Sequence, residues 1–341
     1  MNSNPLLGFG LAILGGAFAG SFMVPMKKMP RWVWENSWSM YALTAYFVLP
    51  WIYALFLIPD VFGIYSAAGW NTFFLVFVFG LGWGIGALTL GLGAARVGMA
   101  LGFAIILGLT AAVGSVVPLA IQHPERLGSS ESIAIYIGVL VIFVGLGVCA
   151  KAGMMKEAKL SAAKASPAAS RSQFLTGLIF CIISGFLSPL MNFGLAFGEK
   201  ITAKALEMGA SNSTATFPLW AAFLTGGFIV NTIYCIYLLN KNKTWGNFKV
   251  GGGRYWFGGF LMGFLWNSSL AIYGFGALLL GVLGASLGWP VFMTGIIIFA
   301  NICGLLTGEW KGAGNKAITT LISGIVILCS AIFIIGFGGA K

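Results

Sequence analysis

Trp83 and Trp266 each stand at the middle of a long apolar run. Indole rings in membrane segments collect at the water interfaces, so a ring at mid-span needs a reason. One reason is packing, a large side chain among glycines. The other is chemistry: the flat apolar face fits the C–H side of a sugar, and the indole N–H donates one hydrogen bond. Asn267, Ser268 and Tyr273 extend a polar face along the run that holds Trp266. A second polar wall surrounds Pro189, where Ser184, Ser188 and Asn192 lie beside a backbone carbonyl that proline leaves unbonded. Those side chains either satisfy the backbone locally or line a partly unwound transport site. The candidate substrate-binding residues are therefore Trp83, Trp266, Asn267, Tyr273, Ser188 and Asn192. Asn231 and Asn301 read as interhelical bonds.

No Asp, Glu, Lys, Arg or His lies in the middle of any apolar run. A charged solute usually needs a countercharge, so the pattern favours a small neutral polar solute, although helix termini can also hold an anion. Glu35 and Glu309 fall at run ends and are the candidates for coupling or gating, with Arg31 and Lys311 as the expected local partners. His123, beside Pro124, reads as a solvated loop residue. The five cysteines are scattered through apolar runs without a C-x-x-C, so neither disulfides nor a metal site is expected. There is no nucleophile–base set, and the sequence predicts no enzyme and no cofactor.

The elements that carry these residues follow from composition. The chain is 59% hydrophobic and 8% charged, against about 25% charged in soluble domains. A span needs about 20 mostly apolar residues. Ten runs qualify: 6–24, 38–57, 73–93, 99–120, 133–150, 174–196, 214–238, 254–278, 282–307 and 317–338. The expected fold is all-α integral membrane. The net charge of +11 belongs to topology and not to nucleic-acid binding, because the basic residues lie between the runs. Most of the 19 lysines and arginines fall in the odd-numbered connections, above all in the segment holding Lys151, Lys156, Lys159, Lys164 and Arg171. This predicts odd connections in the cytoplasm and both termini outside. Trp32, Trp34, Trp38, Trp51 and Trp310 lie near span ends, as an aromatic belt would.

The polar stretch 151–173 divides the chain into residues 1–150 and 174–341 and reads as a flexible cytoplasmic linker. Short patterns recur on either side. Gly20-Ser21-Phe22-Met23-Val24-Pro25 resembles Ser184-Gly185-Phe186-Leu187-Ser188-Pro189. Gly80, Trp83, Gly91, Gly93 and Ala94 share their spacing with Gly263, Trp266, Gly274, Gly276 and Ala277. Five spans per half place the second half upside down, so the expected architecture is a five-plus-five inverted repeat with a midplane site.

Three segments resemble the L-rhamnose–proton symporter family of the drug/metabolite transporter superfamily. They are Lys27-Lys28-Met29-Pro30-Arg31-Trp32-Val33-Trp34-Glu35; Trp83-Gly84-Ile85-Gly86 continuing through Gly91-Leu92 and Arg96 to Gly98-Met99; and Glu309-Trp310 with Ala313-Gly314. The resemblance implies proton-coupled sugar uptake across a bacterial inner membrane. The alternative on the same fold is an exporter of metabolites or drugs.

Overall fold

The computed structural model describes residues 4–97, 99–161 and 171–339. Each of the ten predicted runs forms a helix long and apolar enough to cross a membrane. They are α1 (Pro5–Lys28), α2 (Trp34–Phe56), α3 (Trp70–Ala94), α4 (Ile105–Gln122), α5 (Ser130–Lys159), α6 (Ser172–Glu207), α7 (Phe217–Lys241), α8 (Gly252–Leu279), α9 (Gly281–Leu306) and α10 (Asn315–Gly338). Helices are the expected outcome, because a backbone in lipid must satisfy its hydrogen bonds within itself. The protein is a multi-pass membrane protein. Residues 162–170 and 341 and the glycine at 98 were part of the linker, charge and motif readings, and they lie outside the described residues. The start of the polar stretch is not a loop: α5 continues as helix through Lys151 to Ser161.

Helix packing follows a pattern. α1 lies against α8 and α9, as α6 lies against α3 and α4. α3 packs on α7 as α8 packs on α2, and α5 pairs closely with α10. Glycine makes the closest crossings possible. A Cβ on Gly80 would stand 1.8 Å from the Phe223 carbonyl oxygen, and one on Gly226 would stand 2.4 Å from that of Phe77. Both positions therefore exclude any larger residue unless α3 and α7 separate. In lipid, where apolar burial does not drive helix association, such backbone proximity supplies the attraction.

Three of the interruptions in these helices bear on the site, each with an identifiable cause. α1 is α-helical from Pro5 to Ser21 and resumes as a 3₁₀ turn over Val24–Lys28, with Pro25 in its first turn. α6 breaks at Ser188 and Pro189, between helical stretches Arg171–Leu187 and Leu190–Phe197. These are the two interruptions expected at matched prolines. α2 holds a third, a π-helical stretch over Leu43–Val48. There the Leu49 N–H reaches back to Thr44 O. In that register the Ala45 carbonyl would take its bond from residue 50, which is proline and has no N–H. The Asn267 side-chain amide supplies the missing donor, at 2.9 Å from Ala45 O.

The interfacial-belt reading of the tryptophans is corrected at three positions. Trp32, Trp38 and Trp310 are buried. Trp32 donates to Asn247 O at 2.9 Å and Trp38 to Asn231 Oδ1 at 2.9 Å. The Trp32 N–H joins two connections and the Trp38 N–H joins two helices, instead of facing headgroups.

Candidate functional site

The two mid-span tryptophans meet. Trp83 and Trp266 are both buried, and their rings lie 5.5 Å apart at 30°. Tyr46, from the π stretch of α2, turns its edge to both, 5.2 Å from Trp83 and 5.0 Å from Trp266. Its hydroxyl donates to the Tyr41 hydroxyl at 3.0 Å. Tyr41 packs in turn on Trp38 at 4.8 Å and on Phe22, in the interruption of α1, at 4.9 Å. Phe223 of α7 flanks Trp83 at 5.8 Å. Five helices thus contribute to one aromatic cluster, centred on residues near the middle of α2, α3 and α8.

Among the described residues the indole nitrogens divide into those with an acceptor and those without, the latter including Trp34, Trp70, Trp256 and Trp310 as well as Trp83 and Trp266. Trp32, Trp38, Trp51, Trp245 and Trp289 all donate to protein acceptors. Among the described residues, neither Trp83 nor Trp266 has a recorded acceptor for its N–H. Trp220, one helical turn from Phe223, also has a buried and unbonded Nε1, as does the hydroxyl of Thr216. Both atoms converge on Gly274, where a Cβ would lie 2.6 Å from Thr216 Oγ1 and 2.9 Å from Trp220 Nε1. Pro50, Tyr53, Phe217, Trp220 and Asn267 line a cavity of about 10 Å³ beside them, room for about one water. Burying a donor without a partner costs about 1–3 kcal/mol, a cost that a water in this cavity would relieve.

The other candidate residues separate into distinct groups. Asn267 lines the small cavity, with its amide nitrogen engaged on Ala45 O. Tyr273 and Asn192 form their own pair. The Tyr273 hydroxyl donates to Asn192 Oδ1 at 2.6 Å, and Asn192 Nδ2 donates to Gly114 O at 2.6 Å and to Ala285 O at 3.1 Å. This fully buried pair ties α6, α8, α4 and the start of α9 together. Ser188 is half-buried, its Oγ 3.4 Å from that of Ser184, which donates to Gly86 O at 2.8 Å. The break in α6 therefore rests on α3 one turn beyond Trp83. Asn231 accepts from Trp38, an interhelical bond as expected, whereas Asn301 bonds within its own helix to Ile297 O at 2.8 Å. His123 lies 3.5 Å from Glu125 in an exposed loop.

The expected partners of the two candidate carboxylates are corrected. Glu309 pairs with Lys27 of α1, not with Lys311. Lys27 also donates to Thr307 Oγ1 at 2.6 Å, so α1 is tied to the α9–α10 connection. Glu35 is buried and makes no ion pair with Arg31, which is exposed. Glu35 Oε1 accepts from Asn242 Nδ2 at 2.9 Å and from Thr244 Oγ1 at 2.8 Å. Neighbouring Asn36 donates to Thr244 O at 3.0 Å and accepts from Asn247 Nδ2 at 3.2 Å. Neutral polar groups thus fasten the start of α2 to the α7–α8 connection.

Tyr41, Tyr46, Thr216 and Trp220 were not singled out from the sequence. A signal for the first pair was present in the tyrosines at 41 and 46, a spacing of one π turn, just before Pro50.

Ten spans, matched helix interruptions and a central aromatic site with free donors define a polytopic membrane transporter. The chain belongs to the L-rhamnose-proton symport protein family, whose family model matches residues 1–341. It is 28% identical over 337 residues to the L-rhamnose-proton symporters of Escherichia coli (strain K12 / MC4100 / BW2952), Shigella dysenteriae serotype 1 and Shigella flexneri, covering 96% of this chain and 96% of each relative. The family is one of transporters, so the protein is not an enzyme. The exporter reading finds no support among these relatives.

Proposed function

We propose that the protein imports L-rhamnose, or a closely similar neutral sugar, together with protons across the bacterial inner membrane. The observation that carries the sugar site is the ring-to-ring meeting of Trp83 and Trp266, with Tyr46 against both and the indole N–H groups unengaged. A 6-deoxy sugar offers a methyl group and C–H faces for the rings and hydroxyls for the donors. No ionised side chain is needed, and none stands mid-span. In this assignment Trp83, Trp266 and Tyr46 contact the sugar, while Trp220, Thr216 and Asn267 receive its hydroxyls as the small cavity widens. Ser188 lines the wall formed by the α6 break. Asn192 and Tyr273 hold the break in place.

The transport cycle follows from an inverted repeat of residues 1–150 and 174–341. Support comes from the packing, which keeps its pattern when each helix of one half is exchanged for its counterpart. The two halves rock about the tryptophan pair, opening each end in turn. The basic end, latched by Lys27–Glu309 and by the Glu35 contacts, is assigned to the cytoplasm by the positive-inside bias, with both termini outside.

The test is uptake of labelled L-rhamnose into proteoliposomes with and without an inward proton gradient. Accumulation above equilibrium only with the gradient supports the proposal. Folded, inserted protein that fails to move L-rhamnose, while moving another sugar or none, overturns that substrate assignment.

A further inference from the structure

Where α5, α9 and α10 reach the basic end, they leave a groove of about 500 Å³ between them. Lys159 closes the span of α5, Leu306 closes that of α9 and Asn315 opens that of α10, and all three line the groove. Lys311, in the α9–α10 connection, lines it as well. Among the described residues no carboxylate does. Glu309, the acid of the same connection, is engaged by Lys27.

Two cations are seated against the backbone of that connection. Gly314 has φ 86° and Gly308 has φ 79°, left-handed values that suit glycine. Each glycine also leaves room for a lysine. A Cβ on Gly314 would stand 2.7 Å from Lys159 Nζ, and one on Gly308 would stand 3.1 Å from Lys311 Cε. Neither lysine makes an ion pair among the described residues. A third cation, Lys156, lies 4.9 Å over the ring of Trp310, which also lines the groove. The first N–H groups of α10 have no carbonyl partner within the helix and add partial positive charge on the same side. Beside these cations the side chain of Leu306 is 81% exposed at the end of its span. Unpaired lysines next to an exposed leucine, both at the depth where spans end, match an anion that carries hydrocarbon chains.

We infer that this groove binds the headgroup of an anionic phospholipid from the leaflet at the basic end. Lys159 and Lys311 flank the phosphate, the start of α10 donates to it, and Leu306 lies along the first carbons of an acyl chain. Basic pockets between spans take anionic headgroups at the cytoplasmic face, the side to which the positive-inside bias assigns this end. The groove shares a wall with the latch. Thr307 lines it and also accepts a hydrogen bond from Lys27.

The experiment titrates purified full-length protein in detergent with phosphatidylglycerol or with phosphatidylcholine and counts bound lipid by native mass spectrometry. The wild type is expected to retain phosphatidylglycerol about tenfold better than phosphatidylcholine. Lys159→Gln with Lys311→Gln is expected to weaken phosphatidylglycerol retention about tenfold or more, since each lysine near a membrane surface contributes about fivefold. Lys243→Gln with Lys249→Gln removes the same charge from exposed positions of the α7–α8 connection and is expected to change retention less than about twofold. A loss no larger in the first pair than in the second overturns the site, because the attraction then belongs to the basic end as a whole. All four lysines are exposed, and an unchanged melting temperature verifies that the variants fold. Glycerol phosphate, which has the phosphate and no acyl chain, separates the two sources of the anion. Displacement of the lipid by glycerol phosphate at matching concentration makes the groove a site for soluble phosphate and overturns the lipid assignment. Leu306→Asn keeps the cations and removes the apolar lip; it should lower phosphatidylglycerol retention, and unchanged retention also counts against a lipid.

Discussion

Residue identity matters most where the two indoles meet. Trp83→Ala and Trp266→Ala are each expected to raise the half-saturating L-rhamnose concentration about tenfold, a loss of about 1.4 kcal/mol, with expression reduced much less than uptake. Trp83→Phe keeps a flat face and loses the N–H, so it should fall between wild type and alanine. Transport kinetics at matched protein levels decide the matter: two alanine variants with wild-type kinetics would remove the pair from the site. These residues could be read from the sequence because mid-span tryptophan is anomalous by type and depth alone. Their mutual contact could not, since it depends on how α3 and α8 cross. Tyr46 and Trp220 escaped notice for a related reason. Trp220 lies near a span end, where tryptophan is ordinary, and Tyr46 stands mid-span without a polar neighbour in sequence; only the three-dimensional arrangement shows one ring wedged against two indoles and the other with an unbonded donor.

At the scale of the element, the π stretch of α2 makes a sharper prediction. Asn267→Ala leaves the Ala45 carbonyl without its donor and should cost about 1–3 kcal/mol, read as a lower melting temperature in detergent. Pro50→Ala restores a backbone N–H at the position the π register calls on. The double variant should therefore lose less than the sum of the two single losses, and strict additivity would show that the proline and the asparagine are not linked through that carbonyl. The crossing of α3 and α7 admits a simpler check. Gly80→Ala places a methyl inside the Phe223 carbonyl and should lower the yield of monodisperse protein several-fold, whereas Gly91→Ala, which meets nothing within 4 Å, should be neutral. Helix existence and the breaks at Pro25 and Pro189 were legible, because hydropathy and proline act locally. The π stretch was not, because its donor comes from α8. Nor was the helical start of the 151–173 stretch, whose Lys- and Ala-rich composition is compatible with either helix or coil.

For the whole molecule, closure of the basic end joins residues far apart in the chain. The Lys27–Glu309 pair is exposed, and such pairs contribute about 0–1 kcal/mol to stability. Its expected role is therefore in the rate of opening. Glu309→Gln should slow turnover several-fold with little change in melting temperature, and the exchanged pair Lys27→Glu with Glu309→Lys should recover part of the rate. An unaffected turnover would leave the pair a surface contact. Sequence proximity misdirected both carboxylates toward Arg31 and Lys311, since nothing in a linear chain shows that α1 ends beside the α9–α10 connection. The meeting of Trp83 and Trp266 has a consequence for ancestry. On the proposed repeat, the two tryptophans occupy equivalent places on the axis relating the halves. A half-length forebear inserted in both orientations would have brought one tryptophan against its own copy. Such a site is unchanged by a half-turn, whereas a sugar has no two-fold axis. The present cluster has left that symmetry behind: Tyr46 from α2 touches both indoles and brings a hydroxyl, while Phe223 from α7 touches one and brings none. On that reading, fusion of the halves into one chain lets each side of the axis acquire its own residue, and with it a site shaped to a solute that has no two-fold symmetry.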